Sequence, residues 1–117
     1  AEAVTPGAVN FMLREARGMM CVAMDPPLCD RLELEPQSGV QTSLRSTAYT
    51  VTVDAAERFG TTTGVSAADR ARTIRLLADA ETRPADLVRP GHVQPLRARV
   101  GGTLVRAGQT EGSVDLC

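Results

Sequence analysis

Two short stretches hold the residue types best suited to chemistry. Arg89-Pro90-Gly91-His92 carries the only histidine of the chain, and Arg106-Ala107-Gly108-Gln109-Thr110-Glu111 follows closely. Each joins a guanidinium to a glycine turn and a further polar group, which suits a small anionic ligand better than an apolar core. Arginine offers a rigid fork of donors to phosphate, so Arg89 and Arg106 are the leading anion-binding candidates. Thr110 can add a hydroxyl and, at a helix start, a backbone amide. His92 can transfer a proton or bind a metal near neutral pH. A plainer reading also covers these residues: a capped helix, surface ion pairs and a histidine that only makes hydrogen bonds. Singly each residue favours that reading; two such turns together balance it.

Thr63, Ser66 and Asp69 form a second candidate edge, although Ser66 and Asp69 have capping-box spacing and need no catalysis. Cys21 reads as a small core residue rather than a nucleophile, because no base lies beside it. Glu111 is either a carboxylate beside the ligand turn or a favourable charge in a first helical turn.

The elements that must position these groups read as a mixed α/β domain. Thr5-Pro6 caps a helix whose stripe is Val9, Met12, Leu13 and Ala16, ended by Arg17-Gly18. Met19–Met24 reads as a buried strand stopped by Asp25-Pro26-Pro27, and Leu28, Leu32 and Leu34 anchor a helical turn and loop. Thr47–Val53 is a β-branched run that predicts a strand, with Tyr49, Val51 and Val53 on one face. A helix follows Ser66 to about Ala78, with Ala71, Ile74, Leu77 and Ala78 inward. Pro84 and Pro90 bracket a loop with one helical turn. Val93–Val100 and Thr103–Arg106 are predicted strands around Gly101-Gly102, able to pair as a hairpin. Thr110 starts a last helix.

Composition narrows the function. The chain has 117 residues, room for one small domain, and 43% hydrophobic residues, ordinary for a globular protein. Aromatics make up 3%, so the core must come from Val, Leu, Ala, Met and Ile. Charge is balanced, 13 basic against 14 acidic residues, and stacking residues are scarce, which argues against a nucleic-acid module. No Gly-x-Gly-x-x-Gly fingerprint follows a strand, and no membrane-length apolar run or signal peptide is visible. Three cysteines without a close pair point to a reducing, cytoplasmic location and away from structural zinc.

Taken in order, these stretches resemble the 3,4-dihydroxy-2-butanone 4-phosphate synthase family of riboflavin biosynthesis. The matching residues run from Arg17-Gly18-Met19-Met20-Cys21 through Thr47–Asp54 and Thr63-Gly64-Val65-Ser66-Ala67-Ala68-Asp69-Arg70. They continue through Arg89–Ala98, Gly101-Gly102 and Arg106–Glu111, nearly the whole chain. The resemblance implies a compact α/β sandwich, a homodimer with sites at the subunit boundary, and magnesium or manganese. It implies conversion of D-ribulose 5-phosphate to 3,4-dihydroxy-2-butanone 4-phosphate and formate, a lyase-type reaction through enolisation and skeletal rearrangement. By motif, His92 would be catalytic. Arg106, Ala107, Gly108, Gln109 and Thr110 would hold substrate, with Thr63 and Asp69 positioning it and Cys21 on the pocket side.

The same resemblance marks three departures. An acidic loop with a metal-binding glutamate is expected upstream of Ala1, and a strand and a catalytic carboxylate beyond Leu116. Residues 1–117 thus read as the central and C-terminal part of one synthase-like domain, truncated at both ends. The family pattern Gly-His-Thr-Glu stands here as Gly108-Gln109-Thr110-Glu111, so Gln109 occupies the metal-ligating histidine position. An amide oxygen is a weaker ligand for these cations than an anionic one, and weak metal binding by this chain is expected. The alternative function is a catalytically impaired or non-catalytic sugar-phosphate-binding or dimerisation homologue.

Overall fold

A computed structural model describes residues 2–117. Among these residues four α-helices accompany a three-stranded sheet: α1 is Pro6–Ala16, α2 Pro26–Arg31, α3 Ala67–Leu77 and α4 Gln109–Leu116. The strands are β1 (Cys21–Met24), β2 (Val53–Ala55) and β3 (Leu87–Arg97), in the order β1-β3-β2. β1 runs parallel to β3, with Cys21 opposite Gln94 and Met24 opposite Arg97. β2 runs antiparallel to β3.

Local chemistry explains the helix ends. The Thr5 hydroxyl accepts from the Ala8 amide at 3.1 Å, Pro6 fills the first turn, and Arg17 closes α1 in the left-handed region. Ser66 caps α3 by accepting from the Asp69 amide at 3.0 Å. Of the residues expected inward on α3, Ala71 and Leu77 are buried, Ile74 is half-buried and Ala78 is exposed. Ala78 falls outside because the helix ends at Leu77. Thr73 is buried as well, accepting from the Ala55 amide at 2.8 Å and so fastening α3 to β2. The core is aliphatic, built from Met24, Leu32, Leu34, Val53, Leu77, Leu87 and Val93 together with Cys29.

Three strand expectations change. The Thr47–Val53 run is extended, yet it pairs only through isolated bridges at Tyr49 and Thr50 before β2 begins at Val53. Opposite Thr50 stands Pro95, which has no N–H to return to the ladder. The Gln94 amide replaces it, donating to the Thr50 carbonyl at 2.9 Å. The third strand begins at Leu87 instead of Val93, so Pro90 lies within it and not at a loop boundary. Thr103–Arg106 forms no strand and no hairpin. Positive φ at Gly101 and Gly102 leads into a single 3-10 turn, Gly102–Leu104, and Thr103 turns away to donate to Asp115 through its amide and hydroxyl at 2.9 and 2.6 Å.

The irregularity that matters most lies between β2 and β3. Val53 pairs with Val93, but the next residue, Asp54, pairs with Val88. Arg89-Pro90-Gly91-His92 is therefore extruded opposite a single step of β2. Bulges re-aim side chains where a ladder would hold them flat. Here the bulge turns His92 back onto Asp54.

Candidate functional site

His92 is held at two points by one carboxylate. Its backbone N–H donates to Asp54 Oδ1 at 2.8 Å, and its ring Nδ1 lies 2.7 Å from Asp54 Oδ2. The Asp54 side chain is 11% exposed and the His92 side chain 43%, so the carboxylate is buried while the ring reaches solvent. Nε2 makes no hydrogen bond among the described residues. The bulge fits this tightly because Gly91 lies against the β2 backbone: a Cβ there would collide with the Val53 carbonyl and the Asp54 amide. The Gly91 amide donates to the Thr52 hydroxyl at 3.1 Å.

Behind Asp54 stands the Thr61–Gly64 turn. Gly64 has φ +88°, and a Cβ on it would strike the Asp54 carboxylate. Asp69, buried at the start of α3, ties the turn together. Its oxygens accept from the Thr62 amide at 3.2 Å, the Thr62 hydroxyl at 2.7 Å and the Gly64 amide at 3.2 Å, with Arg72 at 3.0 Å. The Thr62 hydroxyl is the main cause that pulls the Asp69 carboxyl down to about 2, aided by the two amides and Ser66 against the opposing effect of burial. Asp69 thus organises the turn with every donor it can reach, and Thr63 stands exposed at its tip.

The second motif has a different character. Glu111 is 1% exposed and accepts from Arg106 Nη1 at 2.5 Å and from the Arg99 amide at 2.9 Å. Burial alone would raise its carboxyl, but those two donors outweigh burial and hold it below the ordinary value. Arg106 also donates through Nη2 to the Arg45 carbonyl at 3.2 Å. Gly108 opens α4 in an extended conformation with no side-chain cap, and a Cβ there would meet Arg106 and Glu111. Ala107 and Gln109 are exposed, and Thr110 is buried. Glu111 is therefore neither a spare ligand nor a simple first-turn charge. It is the buried partner of the arginine.

Arg89, the other anion-binding candidate, faces the protein. Its guanidinium donates to the carbonyls of Leu32 at 2.6 Å, Pro84 at 3.1 Å and Leu87 at 3.3 Å. It pins the bulge to the loop after α2 and takes a structural role. Cys21 is half-buried in β1, where burial pushes its thiol up, away from a reactive thiolate.

The sequence candidates thus fall into two groups. His92 lies on Asp54, and the turn that carries Thr63 and is held by Asp69 reaches Asp54 through Gly64; Arg106 to Thr110 lie beside Glu111. No hydrogen bond or ion pair among the described residues joins the two groups. Sequence reasoning gave Asp54 no role, since nothing local in a strand points to a partner 38 positions away. A cavity of about 960 Å³ lies apart from His92 and Gln109, between the Glu33–Gly39 segment and Arg97–Val100.

The donors around Gln109 do not by themselves fit a hard divalent cation. Gln109 supplies one neutral amide oxygen, and both oxygens of Glu111, the carboxylate of the same turn, are engaged by Arg99 and Arg106. Among the described residues no three His, Cys, Asp or Glu side chains converge as metal ligands.

Comparison with known proteins agrees with the fold. The family model for 3,4-dihydroxy-2-butanone 4-phosphate synthase matches residues 1–117. Riboflavin biosynthesis protein RibBA of Salinispora arenicola is 58% identical over 116 residues, which is 99% of this chain and 27% of that protein. The Aquifex aeolicus protein of the same name is 51% identical over 99% of this chain and 29% of its own length. A solved 3,4-dihydroxy-2-butanone 4-phosphate synthase in complex with two magnesium ions superposes with a TM-score of 0.94 at 44% identity, covering 99% of this chain and 53% of that one. A two-domain synthase from A. baumannii, RibBX, gives 0.86 at 40% identity over 95% of this chain and 32% of that one. The chain spans between a quarter and a third of the two RibBA proteins' length and about half of the magnesium-bound synthase. With a compact α/β fold of this kind and a family match along its full length, the chain belongs to the 3,4-dihydroxy-2-butanone 4-phosphate synthase family.

Proposed function

We propose that the chain is part of an enzyme that converts D-ribulose 5-phosphate to 3,4-dihydroxy-2-butanone 4-phosphate and formate in riboflavin biosynthesis. The observation that carries this reading is the Asp54–His92 pair, a solvent-reaching imidazole held at 2.7 Å by a buried carboxylate. Enolisation requires a proton to leave a carbon beside a carbonyl, and an imidazole with an open ring nitrogen can take that proton. His92 is the proton-transfer residue of the proposed reaction.

The Arg106 turn takes the phosphate end. The guanidinium has donors left after Glu111 and Arg45, and Thr110 stands in the uncapped first turn of α4, where helix amides favour an anion. Ala107, Gly108 and Gln109 contribute close backbone or amide contact. Thr63, at the tip of the turn that Asp69 holds, is the substrate-side residue near His92. Magnesium or manganese serves the whole protein through donors other than Glu111, with Gln109 at most a weak ligand.

Because no hydrogen bond or ion pair joins the two groups among the described residues, the proposed enzyme is a homodimer in which one protomer's Arg106 turn faces its partner's His92. Exposed Leu44, Val100, Leu104 and Val105 around the Arg106 turn support an apolar contact there. Size-exclusion chromatography with light scattering tests the dimer. The reading goes with a cytoplasmic enzyme, supported by three unpaired cysteines. No helix among the described residues is long and apolar enough to cross a membrane.

Gln109 favours a second reading, a sugar-phosphate-binding or dimerisation homologue without catalysis, since its neutral amide stands beside a glutamate whose two oxygens already accept from Arg99 and Arg106. Formate separates the two. The complete polypeptide carrying this chain, given ribulose 5-phosphate and magnesium, should release formate above a metal-free control. A folded protein that binds substrate and releases none belongs to the second reading.

A further inference from the structure

We propose that Asp54 is a positioning residue that sets the tautomer of His92, and that the Asp69-tied turn holds Asp54 in place for this task. The proposal rests on the reading of His92 as a residue of the reaction. Its first support is the division of labour between the two oxygens of Asp54. Oδ1 accepts from the His92 backbone N–H, and Oδ2 faces Nδ1. A carboxylate can only accept, so Nδ1 carries the proton and the lone pair sits on Nε2. The ring is thereby presented to solvent as a base at one nitrogen.

The second support is the wall behind the carboxylate. Gly64, at a positive φ, sets its backbone so close to Asp54 that a Cβ there would collide with the carboxylate, which is backed by the turn on that side. The Gly64 amide is anchored on Asp69 at 3.2 Å, whose carboxylate also receives Thr62 and Arg72. On the other side, Gly91 packs against the Val53–Asp54 backbone and fixes where the bulge sets down the imidazole. Two carboxylates, two glycines and one strand irregularity converge on the orientation of a single ring. None of them has to touch substrate to do this.

The arrangement permits a substitution that changes the tautomer while keeping the shape. In Asp54→Asn the oxygen must stay opposite the His92 N–H, because that group is a donor whatever the ring does. The amide nitrogen then lies where Oδ2 was and donates to Nδ1. The proton of the neutral ring is driven to Nε2, the wrong end for accepting a proton.

Long-range 1H–15N correlation spectra of 15N-histidine-labelled protein read this directly. His92 is the only histidine of the chain, and its signals are identified by their loss in His92→Gln. The expected wild-type pattern above the titration range is a protonated, pyrrole-like Nδ1 and an unprotonated Nε2, reversed in Asp54→Asn. In the complete polypeptide, Asp54→Asn should lower kcat for formate release at least about tenfold, with KM for ribulose 5-phosphate within about twofold. A wild-type ring protonated at Nε2, or an unchanged kcat in a variant whose tautomer has switched, overturns the proposal. The wild-type spectrum decides even where the variant folds poorly. If the wild-type protein releases no formate, the enzymatic reading fails, whereas the ring signals still show whether Asp54 sets the tautomer.

Discussion

The Asp54–His92 bulge and the Arg106–Glu111 turn use the same pairing, a cation-capable side chain on a buried carboxylate, to opposite effect. At the bulge the carboxylate engages one ring nitrogen and leaves the other without a hydrogen bond on a half-exposed ring, the arrangement that the proposed proton transfer needs. At the turn Glu111 is more deeply buried and takes a guanidinium and a backbone amide together, so the pair is first a structural joint. A burial-driven ion pair and the proposed proton-transfer group are told apart by what remains free after pairing. His92 keeps a whole ring nitrogen without a hydrogen bond, whereas both oxygens of Glu111 already accept one each.

The largest effect that would sharpen this contrast lies at Glu111. Removing it in Glu111→Ala leaves Arg106 and the Arg99 amide without their acceptor, and stability should fall by about 3 kcal/mol in urea unfolding. A loss below about 1 kcal/mol would make the turn a surface feature and dissolve the distinction. Gly64→Ala comes next, at about 2 kcal/mol, because it demands a positive φ and a collision with Asp54. Its melting temperature should drop, and the His92 ring signals should move with it; unmoved ring signals would separate the turn from the imidazole.

Arg89→Ala should cost about 1 kcal/mol, since three carbonyls lose a shared donor. Inorganic phosphate affinity, measured by calorimetry, should stay unchanged, whereas Arg106→Ala should weaken it. A loss of phosphate binding in Arg89→Ala would return Arg89 to the ligand site. The smallest effects come last. Asp69 has a folded value of about 2, below the ordinary 3.8, so its contribution is intact above about pH 4 and fades as pH falls toward 2. Asp69→Asn should flatten the acid limb of a stability–pH curve in that window; an unchanged limb would mean that other carboxylates set it. Gln109→His by itself should leave magnesium affinity weaker than about 1 mM, since Glu111 remains engaged; tight stoichiometric binding in calorimetry would show that Gln109 is the missing ligand.

How much of this was legible in the sequence follows from how local each signal is. Thr5-Pro6 and Ser66 announce helix starts through residues within three positions of the cap, and both caps form. His92, Arg106 and Thr110 stood out because their types are unusual for an apolar core. The extrusion of Arg89–His92 was hidden, because it depends on register against β2, far away in the chain. Asp54 was hidden for the same reason. The hairpin at Gly101-Gly102 was expected from glycine and β-branched residues, but the deciding interaction is Thr103 with Asp115, again not adjacent in sequence. Arg89 and Arg106 looked equivalent, and only their acceptors, carbonyls for one and a glutamate for the other, set them apart.

The central claim is that His92 carries proton transfer in a synthase reaction, and formate release by the complete polypeptide tests it most directly. Wild-type protein should form formate from ribulose 5-phosphate, and His92→Asn should slow kcat by about 100-fold or more while the dimer and fold persist. Formate release at the wild-type rate from a folded His92→Asn protein would contradict the account.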